Sequence, residues 1–313
     1  MKKDILTKTW AVAAIAFVCC VLWGSAAPAI KTGYAHMGIA SSDVASILVY
    51  AGVRFMIAGM MVLIFAAVSS RKVMIPDGRF LKMAFRLSLV QTAGQYFFFY
   101  IGVAHTSGVK TSILTATSTF IAIIMASLVF RQEKLTGRKI LGCCVGFAGV
   151  VLINLLGNSM DLRFQWNGEL FIIFAAAAYA LSSVMIKNYS REASPVQLSG
   201  YQFFMGGLIL AVVGFVMGGK VGTITPFTIG IWVYLGMVSA VAYTLWSILL
   251  KYNPVSKVTI FGFMNPLCGV IISAIVLGEG EQAFSLGGLA ALILVCIGIC
   301  IVNRPEKSRG EES

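Results

Sequence analysis

The chain has 313 residues, of which 58% are hydrophobic and 12% charged, and its mean hydropathy is +0.89. A soluble domain carries about 25% charge, so that class is excluded. The formal charge of +12 calls for no nucleic-acid partner, because the Lys and Arg residues are spread over several loops and both termini, where anionic lipid is the natural counterpart.

Apolar segments long enough to cross a bilayer as helices run over residues 10–30, 44–68, 84–104, 109–130, 138–157, 168–186, 197–218, 228–250, 256–277 and 284–302. His105 with Lys110, and Lys251 with Lys257, separate two pairs of spans that could otherwise be fused. The expected fold is an all-α integral membrane protein of ten transmembrane helices. The first segment shares features with a signal peptide, but removing it would leave nine spans and upset the repeat and charge pattern described below, so it is read as retained.

In the first span Trp23 precedes Gly24, Ser25, Ala27 and Pro28. The small residues permit close helix approach and the proline removes a backbone hydrogen bond, which fits either a helix that meets a substrate or an ordinary kinked packing helix. Arg54 lies about 15 Å along the second span. A charge at that depth is expensive unless it faces a polar cavity or a partner, so it is a functional or gating candidate against a structural role at the interface, with Asp43 as a distant outer partner. Its counterpart in the second half is Gln202, so the charge departs from internal symmetry.

The third and fourth spans carry Gln91, Gln95, Tyr96, Tyr100, Ser112, Thr115, Ser118 and Thr119. Tyr96 and Tyr100, four apart, share a helical face with Gln95 beside them. The eighth span contributes Tyr243 and Trp246, and rings with polar tips on facing helices would sandwich a flat or cationic solute; anchoring at the lipid interface is the alternative. Gly142, Gly146 and Gly149 in the fifth span read as close packing. Glu169 opens the sixth span, where it suits the helix dipole. The ninth span holds Asn265 and Pro266, a second broken-helix element.

The segment 96–133, ending IIMASLVFRQE, can be laid on 242–279, ending IISAIVLGE, at a constant offset of 146; GVVLIN ending at Asn154 matches GICIVN ending at Asn303 at 149. On this register Thr119 matches Asn265, and Glu133 matches Glu279 in an interfacial capping, hinge or inter-repeat position. Five spans per copy force the second copy to enter the membrane from the opposite side, so the halves form two inverted five-helix repeats. The expected division is 1–157, 168–303 and a polar tail over 304–313. With both termini cytoplasmic, the termini and the loops at 71–86, 131–139, 187–191 and 251–257 hold most Lys and Arg, against Lys31, Lys110, Arg163 and Lys220 outside, as the positive-inside rule requires.

All seven cysteines fall in apolar spans, without disulfide or zinc spacing. No HExxH, GxSxG, GxGxxG or Walker pattern occurs, so neither an enzyme nor a cofactor is expected. No unambiguous mid-membrane carboxylate is present, which favours facilitated transport or exchange over proton coupling.

Trp-Gly at Trp23, the run from the fourth span through Glu133 to Gly142 and Gly149, and Pro266 followed by Glu279 in LGE resemble the EamA-domain transporters of the drug/metabolite transporter superfamily, over about residues 10–303. The resemblance implies a central cavity lined by the first, third, fourth, sixth, eighth and ninth spans, and transport of small organic metabolites. Carried onto this chain it designates Trp23, Tyr96, Tyr100, Ser118, Tyr179, Tyr243, Trp246 and Asn265, to which the residues themselves add Arg54 and Gln95. Phe120 stands where the family commonly has a proline, which leaves open whether the fourth span bends like the ninth. By family analogy the expected function is a secondary transporter of small metabolites, amino acids in particular, in a bacterial plasma membrane. A multidrug or lipophilic-cation exporter and a non-transport scaffold or receptor are the alternatives. The apolar surface needs only lipid, so a monomer and a homodimer are both allowed.

Overall fold

The computed structural model describes residues 3–71, 75–106, 108–155, 165–277 and 286–304, and every regular element among them is helical. A short α1 (Lys3–Thr7) precedes α2 (Thr9–Met37) and α3 (Val44–Ser70). The third span is a continuous stack of α4 (Gly78–Leu87), a π-helical turn (Ser88–Gly94) and α5 (Gln95–His105). The fourth joins α6 (Gly108–Ala116), α7 (Ser118–Ile124) and a second π turn (Met125–Val129). Then come α8 (Gly137–Leu155), α9 (Glu169–Tyr189), α10 (Pro195–Val216) and α11 (Pro226–Tyr252). The ninth span is α12 (Val255–Thr259), a 3₁₀ turn (Ile260–Phe263) and α13 (Met264–Leu277), and α14 (Leu286–Asn303) is the tenth.

Nine helical stretches among the described residues are long and apolar enough to span a bilayer. The stack Gly78–His105 takes the remaining place, and it is more polar than the rest because it opens with Arg79, Lys82 and Arg86 and carries Gln91 and Gln95 further in. The chain is therefore a ten-helix membrane protein.

Local chemistry sets the helix ends. Gly38 closes α2 at φ 68°, two turns beyond the end expected from hydropathy, because a residue without Cβ adopts the left-handed conformation without strain. The Asp43 and Asp77 carboxylates accept the Ser46 and Phe80 N–H groups at 3.0 and 2.7 Å and so start α3 and α4. Thr225 and Thr228 form a reciprocal cap before α11, with Pro226 in the first turn.

The packing is that of two inverted copies. The second and seventh spans cross as α3 on α10, and the fifth and tenth as α8 on α14, so each of these pairs joins equivalent helices. The largest of the other contacts have their mirrors. Helix α2 packs on α11 as α9 packs on α5, α2 packs on α13 as α9 packs on α6 and α7, and α3 packs on α11 as α10 packs on α4 and the first π turn.

The self-equivalent pairs are built from glycine. Gly52 and Gly59 of α3 meet Gly207 and Gly200 of α10, where a Cβ on Gly59 would lie 2.5 Å from Phe204 N and 2.7 Å from Gly200 O. The spacing of seven on both helices keeps these residues along one seam. Gly142 and Gly149 of α8 rest on the carbonyls of Gly298 and Ala291 of α14, as their reading as packing residues anticipated.

The fourth and ninth spans break at equivalent places. The fourth is interrupted at Thr117, whose hydroxyl donates to Leu114 O at 2.6 Å, and the ninth at the 3₁₀ turn ending in Phe263, 146 residues later. With Phe120 in place of proline, the fourth span is still interrupted at the position equivalent to the turn in the ninth. Pro266 is the third residue of α13, where its missing N–H costs no intrahelical bond. Cys20 Sγ donates to Phe261 O at 3.3 Å and so satisfies a carbonyl in the broken turn.

Candidate substrate site between the repeats

Two apolar clusters form the core. One gathers Val12, Ile186, Leu250 and Val258 toward the end that carries both termini; the other gathers Met37, Ile39, Ile47 and Trp232 toward the far end. Trp23 packs against both, so the residues around it occupy the boundary between them. Gly24, next in sequence, brings α2 against the backbone of α13 at Cys268 and Gly269, where a Cβ would sit 2.9 Å from Gly269 N.

An aromatic column runs through this boundary. Trp232, Tyr50 and Tyr34 follow one another at ring separations of 5.6 and 5.0 Å. Phe55 touches Tyr96 at 4.5 Å and stacks on Phe203 at 5.5 Å. The Tyr96 and Tyr243 hydroxyls share a 2.6 Å hydrogen bond across the third and eighth spans. Trp23 then lies edge-on to Tyr243 at 5.1 Å and to Trp246 at 5.0 Å. Tyr100 continues the face from Tyr96 at 5.9 Å. The π turn just before Gln95 makes room for an extra residue in the helix and resets the face on which Gln95, Tyr96 and Tyr100 lie.

Arg54 enters this column from α3. It is 4% exposed, with its guanidinium 4.4 Å from the Phe55 ring centre and 5.7 Å from that of Tyr96, and Tyr34, Tyr100 and Tyr243 lie within electrostatic range. Asp43 is not its partner, since that carboxylate is engaged as the cap of α3. Cation–π contacts supply about 0.5–2 kcal/mol each, whereas placing Arg at a helix centre in a bilayer costs about 2.5–3.5 kcal/mol on the mildest scale. The two contacts together, about 1–4 kcal/mol, are of the same size as that cost, but the rings supply neither a counter-charge nor an oxygen acceptor for the guanidinium. Arg54 Nε, Trp23 Nε1, Trp246 Nε1 and Gln95 Oε1 are all buried without a hydrogen-bond partner.

The glycine seam fixes the symmetry relation of Arg54. Gly52 and Gly59 stand 148 residues before Gly200 and Gly207, and the same offset takes Arg54 to Gln202. Gln202 is fully buried; its Oε1 accepts from the Thr92 hydroxyl at 2.6 Å while its Nε2 has no partner, so one half holds a neutral amide where the other holds a charge.

The remaining candidates lie at the margin. Tyr179 is half-buried on α9, within electrostatic range of Cys19, Cys20 and Tyr96. Ser118 is buried at the start of α7 beside the break in the fourth span. Asn265 is half-buried at the start of α13 beside the equivalent break, and its side chain makes no hydrogen bond among the described residues. Glu279 lies outside the described residues.

Sequence reasoning missed Tyr34, Tyr50, Phe55 and Phe203 around Arg54. Tyr50 is four residues before Arg54 on the same helix, a spacing that could have found it. It also missed a buried ion pair at the far end, where Lys110 Nζ lies 2.7 Å from Glu169 Oε1 and Thr106 donates to the same oxygen at 2.9 Å. At the terminus-bearing end the Ser256 N–H and hydroxyl donate to Glu133 at 3.0 and 2.7 Å, and Lys139 lies 3.2 Å from it. Gln132 there donates to Asn188 at 2.8 Å, and Lys187 to Asn253 O at 2.6 Å. The bonds of Gln132 and Glu133 tie the end of the fourth span to the sixth and ninth, and that of Lys187 ties the sixth to the turn before the ninth.

Two packed repeats of membrane-long helices define a multi-span membrane protein built from two copies of one unit. The chain matches the EamA-like transporter family over residues 10–155 and 166–304 and belongs to that family. It is 25% identical over 312 residues to the uncharacterized transporter YvbV of Bacillus subtilis (strain 168), covering 97% of this chain and 95% of that protein. A probable terminal-alkyne amino-acid exporter of Streptantibioticus cattleyicolor is 23% identical over 301 residues, covering 94% and 93%. A solved crystal structure superposes with a TM-score of 0.75 at 16% identity, covering 94% of this chain and 96% of that one, and so shares the fold.

Proposed function

We propose that the protein is a secondary transporter of small organic metabolites, amino acids in particular, working by alternating access between its inverted repeats. The observation that carries this reading is the buried and half-buried set of Trp23, Arg54, Gln95, Tyr96, Tyr243 and Trp246, which has hydrogen-bonding capacity left over and lies between repeats whose fourth and ninth spans break at matching positions. Ser118 and Asn265 border those breaks and complete the proposed site with Tyr100 and Tyr179. The amino-acid assignment draws on the exporter relative above.

The membrane is a bacterial plasma membrane with both termini cytoplasmic, an orientation supported by the basic residues at 71–86 and 131–139. The ties of Glu133 to Ser256 and of Lys187 to Asn253 hold the terminus-bearing end shut and would have to break for the site to open there. Transport is facilitated diffusion or exchange, since the carboxylates among the described residues lie at helix ends, away from the aromatic column.

The test is uptake into proteoliposomes of labelled amino acids, nucleobases and lipophilic cations, with and without an imposed proton gradient. Saturable amino-acid flux that is lost on Tyr96→Ala or Asn265→Ala is the expected result. Flux of cations alone would move the assignment to drug export, and no flux of any class would sink the transport reading.

A further inference from the structure

We propose that Arg54 is the carboxylate-binding residue of this site, and that the carried solute is an organic carboxylate, anionic or zwitterionic, in preference to a lipophilic cation. This rests on the transport reading above and adds to it the charge class of the substrate.

The argument begins with charge balance. Arg54 is 4% exposed on a membrane-spanning helix, and no ion pair or hydrogen bond from it exists among the described residues. The described carboxylates are engaged elsewhere: Asp43 with Ser46, Asp77 with Phe80, Glu133 with Ser256 and Lys139, Glu169 with Lys110, and Glu192 with Arg79. Asp4 sits in the short first helix, outside the spans. A buried guanidinium with no counter-ion among the described residues invites one from a ligand.

The unpaired polar atoms further along the aromatic column, reached through Tyr96 and Tyr243, point the same way. Trp23 Nε1 and Trp246 Nε1 are donors without acceptors, so together with Arg54 the cluster holds a surplus of donors. A carboxylate, which only accepts, fits that surplus, and the planar guanidinium fork suits its two oxygens. Gln95 Oε1 is the complementary unpaired acceptor and would take an ammonium N–H of a zwitterion. A lipophilic cation would gain the aromatic faces but meet the fixed positive charge among them.

Three probes on one phenylethyl frame separate the charge classes: 3-phenylpropanoate, phenylalanine and 2-phenylethylamine. Calorimetric titration of the purified protein in detergent is expected to show binding of the two carboxylates and not of the amine. Arg54→Met, which keeps the apolar stem, should weaken carboxylate binding on the order of 10- to 100-fold, as loss of a charge-assisted bond implies. Arg54→Lys should fall between the two. The ligand-free melting temperature of Arg54→Met should equal or exceed that of the wild type, because an uncompensated charge has been removed; a structural role predicts a drop. If Arg54→Met does not fold, Arg54→Gln, with the residue of the equivalent position, takes its place.

Amine binding as tight as that of the carboxylates, no binding of either carboxylate, or carboxylate affinity unchanged in the variant would overturn the assignment. Carboxylate binding without counterflow in proteoliposomes would sink the transport reading alone. Counterflow of the amine without either carboxylate would sink the charge class alone.

Discussion

The hydroxyl pair of Tyr96 and Tyr243 bridges the third and eighth spans inside the aromatic column, and each ring is also packed against others. Tyr243→Phe keeps the packing and removes the bridge, so stability should fall by about 1 kcal/mol while flux falls further, because the surface presented to solute changes. Thermal unfolding and uptake on the same preparation separate the two effects. Glu169→Gln should cost about 1–3 kcal/mol, since it leaves a buried charged group short of its hydrogen-bonded partner. Replacing Lys110 and Glu169 together with methionine should recover part of that loss, and failure of the double variant to recover would mean that the pair does more than neutralise itself. At the exposed end of α3, the Ser46 N–H holds the Asp43 carboxyl below its ordinary value of 3.8. That cap contributes fully above the ordinary value and is lost as pH falls through the depressed one. Asp43→Ala should therefore destabilise by about 1 kcal/mol at neutral pH, and the difference from wild type should shrink in melts below pH 3.8.

Helices α3 and α10 touch through backbone at Gly52, Gly59, Gly200 and Gly207, which leaves no room for a side chain. Gly59→Leu must push the pair apart, and a cost of about 1–3 kcal/mol or outright failure to fold is expected; a melting temperature unchanged from the wild type would show that the seam gives way freely. What could be read from the chain at this scale follows the same physics. Periodic signals survive in sequence, so the offset of 146, the ten apolar segments and the small-residue face of α8 were all visible. Two features were not. The break at Thr117 arises without proline, through a hydroxyl that competes for the Leu114 carbonyl, and no composition rule marks it. The pairing of Lys110 with Glu169 joins residues 59 apart on different helices, and the surroundings of Arg54 come from four spans. Contacts of that kind are set by how helices cross, which hydropathy does not encode.

At the scale of the molecule, each half supplies what the other needs. Alternating access requires that the ties around Glu133 and those around Lys110 and Glu169 not persist together in every state. Single cysteines at Tyr100 and at Asn265, in a background lacking the native cysteines, should change in accessibility from the two faces when solute is added. Accessibility fixed in every condition would favour a scaffold. Glu133→Gln should raise labelling from the terminus-bearing end, because it weakens the link to Ser256 there.

The contacts α3 on α10 and α8 on α14 pair each helix with its own counterpart. Such self-complementary surfaces are those of an isologous dimer, in which one patch serves both partners. The fusion of the halves into one chain thus adds continuity and not a new mode of contact. The two family-matched segments, expressed as separate polypeptides in one cell, should find each other and restore uptake, and mixing halves that carry Gly59→Leu should prevent it. A five-helix unit of this kind carries in its glycine seams the instruction to meet an upside-down copy of itself.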